Sequence, residues 1–175
     1  MPVREIITPI NPILRRPAHK VRALTPKIQR LIDDMIETMR AAPGVGLAAP
    51  QVAVSQRVIV VEFAEPSEDP DAPPPEPELY VLINPEIVRE SLERVGAVEA
   101  CLSIPGFAGQ VERHAAVTVK GINRQGEEVK IKAEGWLARI FQHEIDHLDG
   151  VLFIDRAEDV WRVEPEEEAA LSEGI

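Results

Sequence analysis

The segment from Gly135 to about Asp149 constrains the fold more than any other part of the chain. Trp136, Leu137, Ile140, Phe141, Ile145 and Leu148 recur at helical spacing but cover more than one face, and Gly150 supplies the stop. A helix apolar nearly all round has to be central to its fold. The elements expected around it are mostly strands. Val58 to Phe63 reads as a buried strand, and Tyr80 to Asn84 as a second that Pro85 interrupts or confines to an edge. Val111 to Ile122 and Glu127 to Glu134 alternate in places, joined by the hairpin signal Asn123-Arg124-Gln125-Gly126. Val151 to Ile154 reads as a short further strand. A second helix opens at Thr25-Pro26 and carries its apolar stripe through Ile28, Leu31, Ile32, Met35, Ile36 and Met39 before Pro43-Gly44 ends it. The expected class is α+β, with antiparallel β-sheets packed around a central helix carrying an HExxH motif.

That motif is His143-Glu144-Ile145-Asp146-His147. Histidines four apart project from one helix face, so two nitrogens reach one ion, and Glu144 lies beside them to handle protons. Asp146 is either a surface acid or an orienting group, and sequence leaves that open. Two histidines leave a catalytic site one protein ligand short. The metzincin pattern places a third His where this chain has Phe153, and a gluzincin glutamate has to come from the polar stretch at Glu164 and Glu166 to Glu168. The better third ligand is Cys101, the single cysteine, whose thiolate suits zinc or iron(II). His19 and His114 have no paired spacing and are expected to be structural or on the surface.

Gly44-Val45-Gly46-Leu47-Ala48-Ala49-Pro50-Gln51, then Glu99-Ala100-Cys101-Leu102-Ser103, then Gln142-His143-Glu144-Ile145-Asp146-His147 resemble the three ordered motifs of peptide deformylases. The resemblance spans about Pro9 to Arg156. It implies metal-dependent hydrolysis of the N-formyl group from N-formylmethionyl nascent chains, releasing formate. It also implies Cys101, His143 and His147 as ligands of a ferrous ion (Fe2+), replaceable by nickel (Ni2+), cobalt (Co2+) or zinc (Zn2+). Formamide hydrolysis needs a nucleophile at neutral pH, and a metal lowers the pKa of water from about 15.7 to about 7. Glu144 is expected to take that water's proton and return it to the amine. The Gln51 amide and the Leu102 backbone N–H are the oxyanion donors that the resemblance suggests, each worth about 3 kcal/mol of barrier. Gly46 offers its backbone to the substrate as an added strand. Val45, Trp136 and Ile140 are candidates for the methionine pocket, and Arg139 is expected to line it with its stem while its charge reaches water. Ala100 departs from the family's usual Gly and adds a methyl group beside the cysteine.

Two rivals stay open at this stage. One is a metallopeptidase cutting internal peptide bonds with the same helix. The other is an inactive module that binds metal or formyl-peptide, against which Glu144 and Gln51 argue.

The 175 residues suit one domain, with residues 1–156 as the catalytic body and 157–175 as a short, polar, frayed acidic tail. Net charge is -11, but residues 64–79 hold six acids and no base, and the tail holds seven acids against Arg162. Setting these aside from 30 acids and 19 bases leaves 17 and 18, so the body has no basic excess for nucleic acid. The Pro-rich stretch at 64–79 reads as an exposed, tolerated surface loop. The acidic tail lacks the basic helix that docks some relatives on the ribosome, so any ribosome contact is expected to be transient. No run reaches a membrane span, no signal-peptide core follows Met1, and one cysteine suits a reducing compartment, which together point to a bacterial or bacterial-like cytoplasm.

Overall fold

The computed structural model describes residues 2–172. In chain order its elements are α1 (Pro26–Ala41), β1 (Gly46–Ala48), β2 (Val58–Phe63), β3 (Glu78–Glu90), β4 (Arg94–Cys101), β5 (Ile104–His114), β6 (Ala116–Ile122) and β7 (Glu128–Glu134). They continue with α2 (Gly135–Leu148), α3 (Phe153–Arg156), β8 (Asp159–Arg162) and α4 (Pro165–Ser172). A 3-10 turn at Ala49–Val52 links β1 to β2. The class is α+β, and every strand pairing is antiparallel.

Two sheets flank the HExxH helix α2. One has the order β1-β2-β3-β6-β7 and the other β4-β5-β8. Strand β2 shows why the larger sheet is so apolar. Ile59 and Val61 face the core built on Ile140, Phe141, Ile145 and Leu148 of α2. Val58 and Val60 face the opposite way, into the core of Leu31, Ile32, Met35 and Met39 from α1. A strand covered on both faces needs an unbroken apolar run, and Val58 to Val61 supplies it. Thr25 caps α1 through its hydroxyl, which accepts from the Ile28 N–H at 3.3 Å.

Several expectations need correction. The strand expected over Tyr80 to Asn84 runs from Glu78 to Glu90, and Pro85 interrupts its ladder as expected, at the register shift between Ile83 and Glu86. The run Val111 to Ile122 breaks at Ala115, so β5 lies in the small sheet and β6 in the large one. Val151 to Ile154 is no strand; Phe153 to Arg156 form the short helix α3, with the Asp155 carboxylate accepting from the Leu152 N–H. The segment after Arg156 is not frayed as far as Ser172. Strand β8 pairs with β5, and the Glu168 carboxylate of α4 accepts from the Gly106 N–H at 2.8 Å. The expected tail residues 173–175 lie outside the described residues.

Gly150 ends α2 at φ 76°, and a Cβ there meets the Arg15 carbonyl oxygen at 2.6 Å. Both the left-handed backbone and the close approach demand glycine. Gly150→Ala is therefore expected to destabilise the protein by about 2 kcal/mol or more. Urea denaturation checks this, and an unchanged midpoint contradicts it.

Candidate metal centre

Helix α2 presents His143 and His147 on one face, one turn apart, with ring centroids 5.2 Å from each other. The β4–β5 hairpin brings Cys101 to the same point. The Cys101 Sγ, His143 and His147 ligand atoms all lie within 4.8 Å of one another, and all three residues are buried. The Cys101 Sγ is 3.3 Å from His147 Nε2. One soft sulfur and two imidazole nitrogens converging in a dry site form a donor set that fits zinc or iron(II) and leaves a coordination position open. Phe153, which fills the position of a metzincin ligand, stacks on the His143 ring instead, at 6.3 Å and 17°.

Beneath the ligands is a buried charge network. The His143 Nδ1 lies 2.9 Å from Glu99 Oε1, which fixes Nδ1 as the protonated nitrogen and leaves the Nε2 lone pair for an ion. Glu99 also accepts from Arg113 at both oxygens and from Arg139 at 2.6 Å. Burial alone pushes the Glu99 carboxyl up, but hydrogen bonds from Arg113 and His143 hold it well below its usual range. Asp146 is an orienting group and not a surface acid: it accepts from Arg113 and, with both oxygens, from Arg156. Without an ion, burial pushes His143 down, yet hydrogen bonds to Cys101 and Glu99 outweigh it and raise the group to about 10, so an ion binding at Nε2 has to displace a proton there. Burial and the neighbouring His143 drive His147 well below its ordinary value, so it stays neutral.

Glu144 stands beside the ligands, 1% exposed, with Oε1 at 3.8 Å from His143 Nε2. Its Oε2 has no hydrogen-bond partner among the described residues. Burial lifts this carboxyl to about 7, where it can both take and give a proton near neutrality. A buried carboxylate oxygen without a donor is costly in a resting protein and is explained by a species that enters the site. Gly46 makes room for it: a Cβ on Gly46 meets Glu144 Cγ at 2.9 Å.

Gln51 is 1% exposed and anything but an ordinary loop glutamine. Its Oε1 accepts from the Ala48 N–H at 2.9 Å, which turns the NH2 group toward Ser103 Oγ (3.2 Å) and Cys101 Sγ (3.6 Å). Leu102 follows Cys101 in the hairpin turn, with its side chain against Gly44. Among the described residues strand β1 pairs only with β2, so it is an edge strand, and Glu144 packs against its Gly46.

The expected pocket residues fare differently. Val45 and Trp136 are half-buried against the α2 core, while Ile140 is fully buried within it. Arg139 corrects the expectation that its charge reaches water. It is 3% exposed, and besides Glu99 it donates to the Val111 and Val95 carbonyls at 2.9 and 2.6 Å. Its stem still lines a cleft with Val95, Ala97 and Trp136. His19 is exposed and bridges Gln56, and His114 is held by Ser91 and Glu90, so neither joins the centre. Glu99 and Arg113 carried no sequence signal beyond the place of Glu99 two residues before Cys101. A buried acid opposite two buried arginines is legible only once the strands are paired.

A sequence profile described as polypeptide deformylase matches residues 3–162. A peptide deformylase of Natranaerobius thermophilus is 51% identical over 164 residues, covering 94% of this chain and 98% of the relative. The crystal structure of peptide deformylase from Ehrlichia chaffeensis superposes with a TM-score of 0.81 at 35% identity, covering 97% and 93% of the two chains. A Met-Ala-Ser-bound class I type b peptide deformylase from Acinetobacter baumannii superposes at 0.79 with 42% identity, covering 89% of this chain and all of that one.

Removing the Glu99 charge leaves the buried Arg139 without a carboxylate, leaves Arg113 with Asp146 alone, and frees the His143 ring. Glu99→Gln is expected to cost about 3 kcal/mol of stability and to weaken zinc or nickel binding roughly 10–100-fold. Calorimetric titration with the metal and chemical denaturation read the two effects separately. Wild-type metal affinity in the variant removes the positioning role.

Proposed function

The chain belongs to the polypeptide deformylase family, metal-dependent hydrolases that remove the N-formyl group from nascent peptides, and from that premise we propose which of its residues perform each part of the reaction. Cys101, His143 and His147 hold the ion, which we take to be ferrous, with nickel, cobalt or zinc as substitutes. When bound, the ion supplies Lewis acidity and a strongly lowered pKa for water. Glu144 receives the water's proton on its unpartnered Oε2 and returns it to the departing amine. The Gln51 amide, already held by Ala48, donates to the formyl oxygen as charge builds there, and the Leu102 N–H is the second donor.

The peptide lies along the open edge of β1, pairing with the Gly46 backbone as an added strand. The methionine side chain enters between Val45 and the stripe of Trp136, Arg139 and Ile140 that leads along α2 to His143. In this reading Arg139 contributes its stem, since Glu99 holds its charge. Ala100, 4% exposed beside Cys101, narrows that wall by one methyl group and removes no reacting group. The relative bound to Met-Ala-Ser supports a deformylated peptide as the product that the groove holds. We place residues 1–156 as the catalytic body and the acidic 64–79 segment as a surface loop as far as the start of β3 at Glu78. The bacterial relatives favour action in a bacterial cytoplasm, with only transient ribosome contact.

The observation that carries this reading is the Glu144 carboxyl, buried, unpartnered and next to three converging ligand atoms. Protein metallated without oxygen is expected to release formate from formyl-Met-Ala-Ser. Glu144→Ala is expected to lower kcat by at least about 100-fold while metal content is retained. Chelation is expected to abolish turnover of the wild type and nickel to restore it. Persistent casein digestion by Cys101→Ala points instead to a metallopeptidase.

A further inference from the structure

Residues 4–7 cross α1 and end at the turn that carries Gln51. The Arg4 N–H donates to Thr38 Oγ1 at 2.9 Å, and the Arg4 guanidinium donates to Asp34 Oδ2, also at 2.9 Å. Asp34 and Thr38 stand one turn apart, 5% and 1% exposed, and are the two polar members of the buried set of α1. The Thr38 hydroxyl in turn donates to the Asp34 carbonyl. Ile6 packs on the core that α1 shares with Ala49 and Val52 of the turn, where Leu102 also packs. Ile6, Cys101 and Leu102 line one small cavity. One residue on, the Ile7 N–H donates to the Gln51 carbonyl at 2.8 Å. Within the turn, the Ala49 and Pro50 carbonyls accept from the Val54 and Ala53 N–H groups, whereas the Gln51 carbonyl is held from outside it.

We propose that Arg4 is a positioning residue for the reaction: anchored on Asp34 and Thr38, it holds a strap whose Ile7 N–H fixes the Gln51 backbone and so aims the Gln51 amide. This rests on the reading of Gln51 as a donor to the formyl oxygen. Gln51 is held at three points. Ile7 binds its carbonyl, the Ala48 N–H binds its Oε1 at 2.9 Å, and its Nε2 is shared between Ser103 Oγ and Cys101 Sγ. A formyl oxygen arriving at Nε2 competes with the last of these. The aim of the amide then depends on the Ala48 bond and on the backbone that Ile7 fastens. Donors to a developing charge need placement within about 0.5 Å, and a misplacement of about 1 Å caused from a distance can cost about 100-fold in rate. The strap has few other holds, since Val3 and Glu5 on either side of Arg4 are exposed. Asp34, whose side chain is 8% exposed, takes Arg4 as its ion-pair partner among the described residues.

The full chain, loaded with nickel, is compared with Arg4→Gln, Arg4→Lys, Asp34→Asn and the double variant Arg4→Gln, Asp34→Asn. For each, kcat and KM are measured on formyl-Met-Ala-Ser, nickel affinity by calorimetry, and amide hydrogen exchange residue by residue. Arg4→Gln is expected to lower kcat about tenfold, with KM and nickel affinity near those of the wild type, and Arg4→Lys to recover most of the loss. The double variant is expected to fall no further than either single one, because both break the same pair. Exchange at the Ile7 amide is expected to quicken in Arg4→Gln while the amides of α2 keep their protection. Wild-type kcat in Arg4→Gln, or unchanged exchange at Ile7, overturns the proposal. So does a kcat loss matched by weaker nickel binding or by lost protection in α2, which marks general loosening. Nickel-loaded wild type that leaves formyl-Met-Ala-Ser intact overturns the deformylase reading instead, and the Ile7 exchange then still reads whether Arg4 holds the strap.

Discussion

Glu99 is a carboxylate with no measurable exposure of its side chain, and it touches one imidazole and two guanidinium groups at once. An isolated charge in that position is prohibitively expensive, and so is an isolated arginine. Together they satisfy each other, and the arrangement has no slack. Arg113 ties the acid to Asp146 on α2, Arg139 ties it to carbonyls of β4 and β5, and His143 takes its tautomer from it. The small sheet, the helix and the ligand geometry are joined at one carboxylate. Strength is not the main gain of such a cluster, since apolar packing often does as well. Its gain is a single permitted arrangement, which a site with three converging ligands requires.

That cluster also explains where the sequence was readable and where it was not. Helix α1, strand β2 and helix α2 obey plain rules of capping, apolar runs and periodicity. The convergence of the candidate ligands was legible from chemistry, because two histidines at the right offset leave a site one ligand short and Cys101 is the single cysteine. Strand β4 hid. Its pattern is inverted near the hub: Val95 is 46% exposed while Glu99 is 1% exposed. A reader matching apolar residues to the interior finds no strand there. The misplaced charge of Arg139 has the same origin, since only a buried acid draws a guanidinium inward. Strand β8 was illegible for another reason: all four of its residues are exposed, and it joins the sheet by backbone pairing with β5 and by the Arg162 guanidinium over the Phe107 ring.

Gly46 shows how narrowly the reacting edge is built. Its expected duty was to leave the backbone open to a substrate. The structure adds a second duty on its other side, where Glu144 occupies the volume a Cβ needs. Strand β1 is only three residues long and stands at the end of its sheet, with Glu144 over the face at Gly46. Short, specialised edges of this kind limit unwanted pairing with other chains while still accepting one extended peptide.

The chain changes sheets at Ala115, between β5 and β6, and α2 is fastened at that crossing. The Gln142 side chain accepts from the His114 N–H at 3.0 Å and donates to the His114 carbonyl at 2.9 Å. Gln142 immediately precedes His143. A fluctuation that loosens the ligand-bearing turn must therefore also release the hinge between the sheets and expose both faces of the core. The ligands come from a helix and a distant hairpin, yet they belong to one cooperative unit. The turn that carries the candidate ligands is thus fastened to the crossing between the sheets rather than to a free loop.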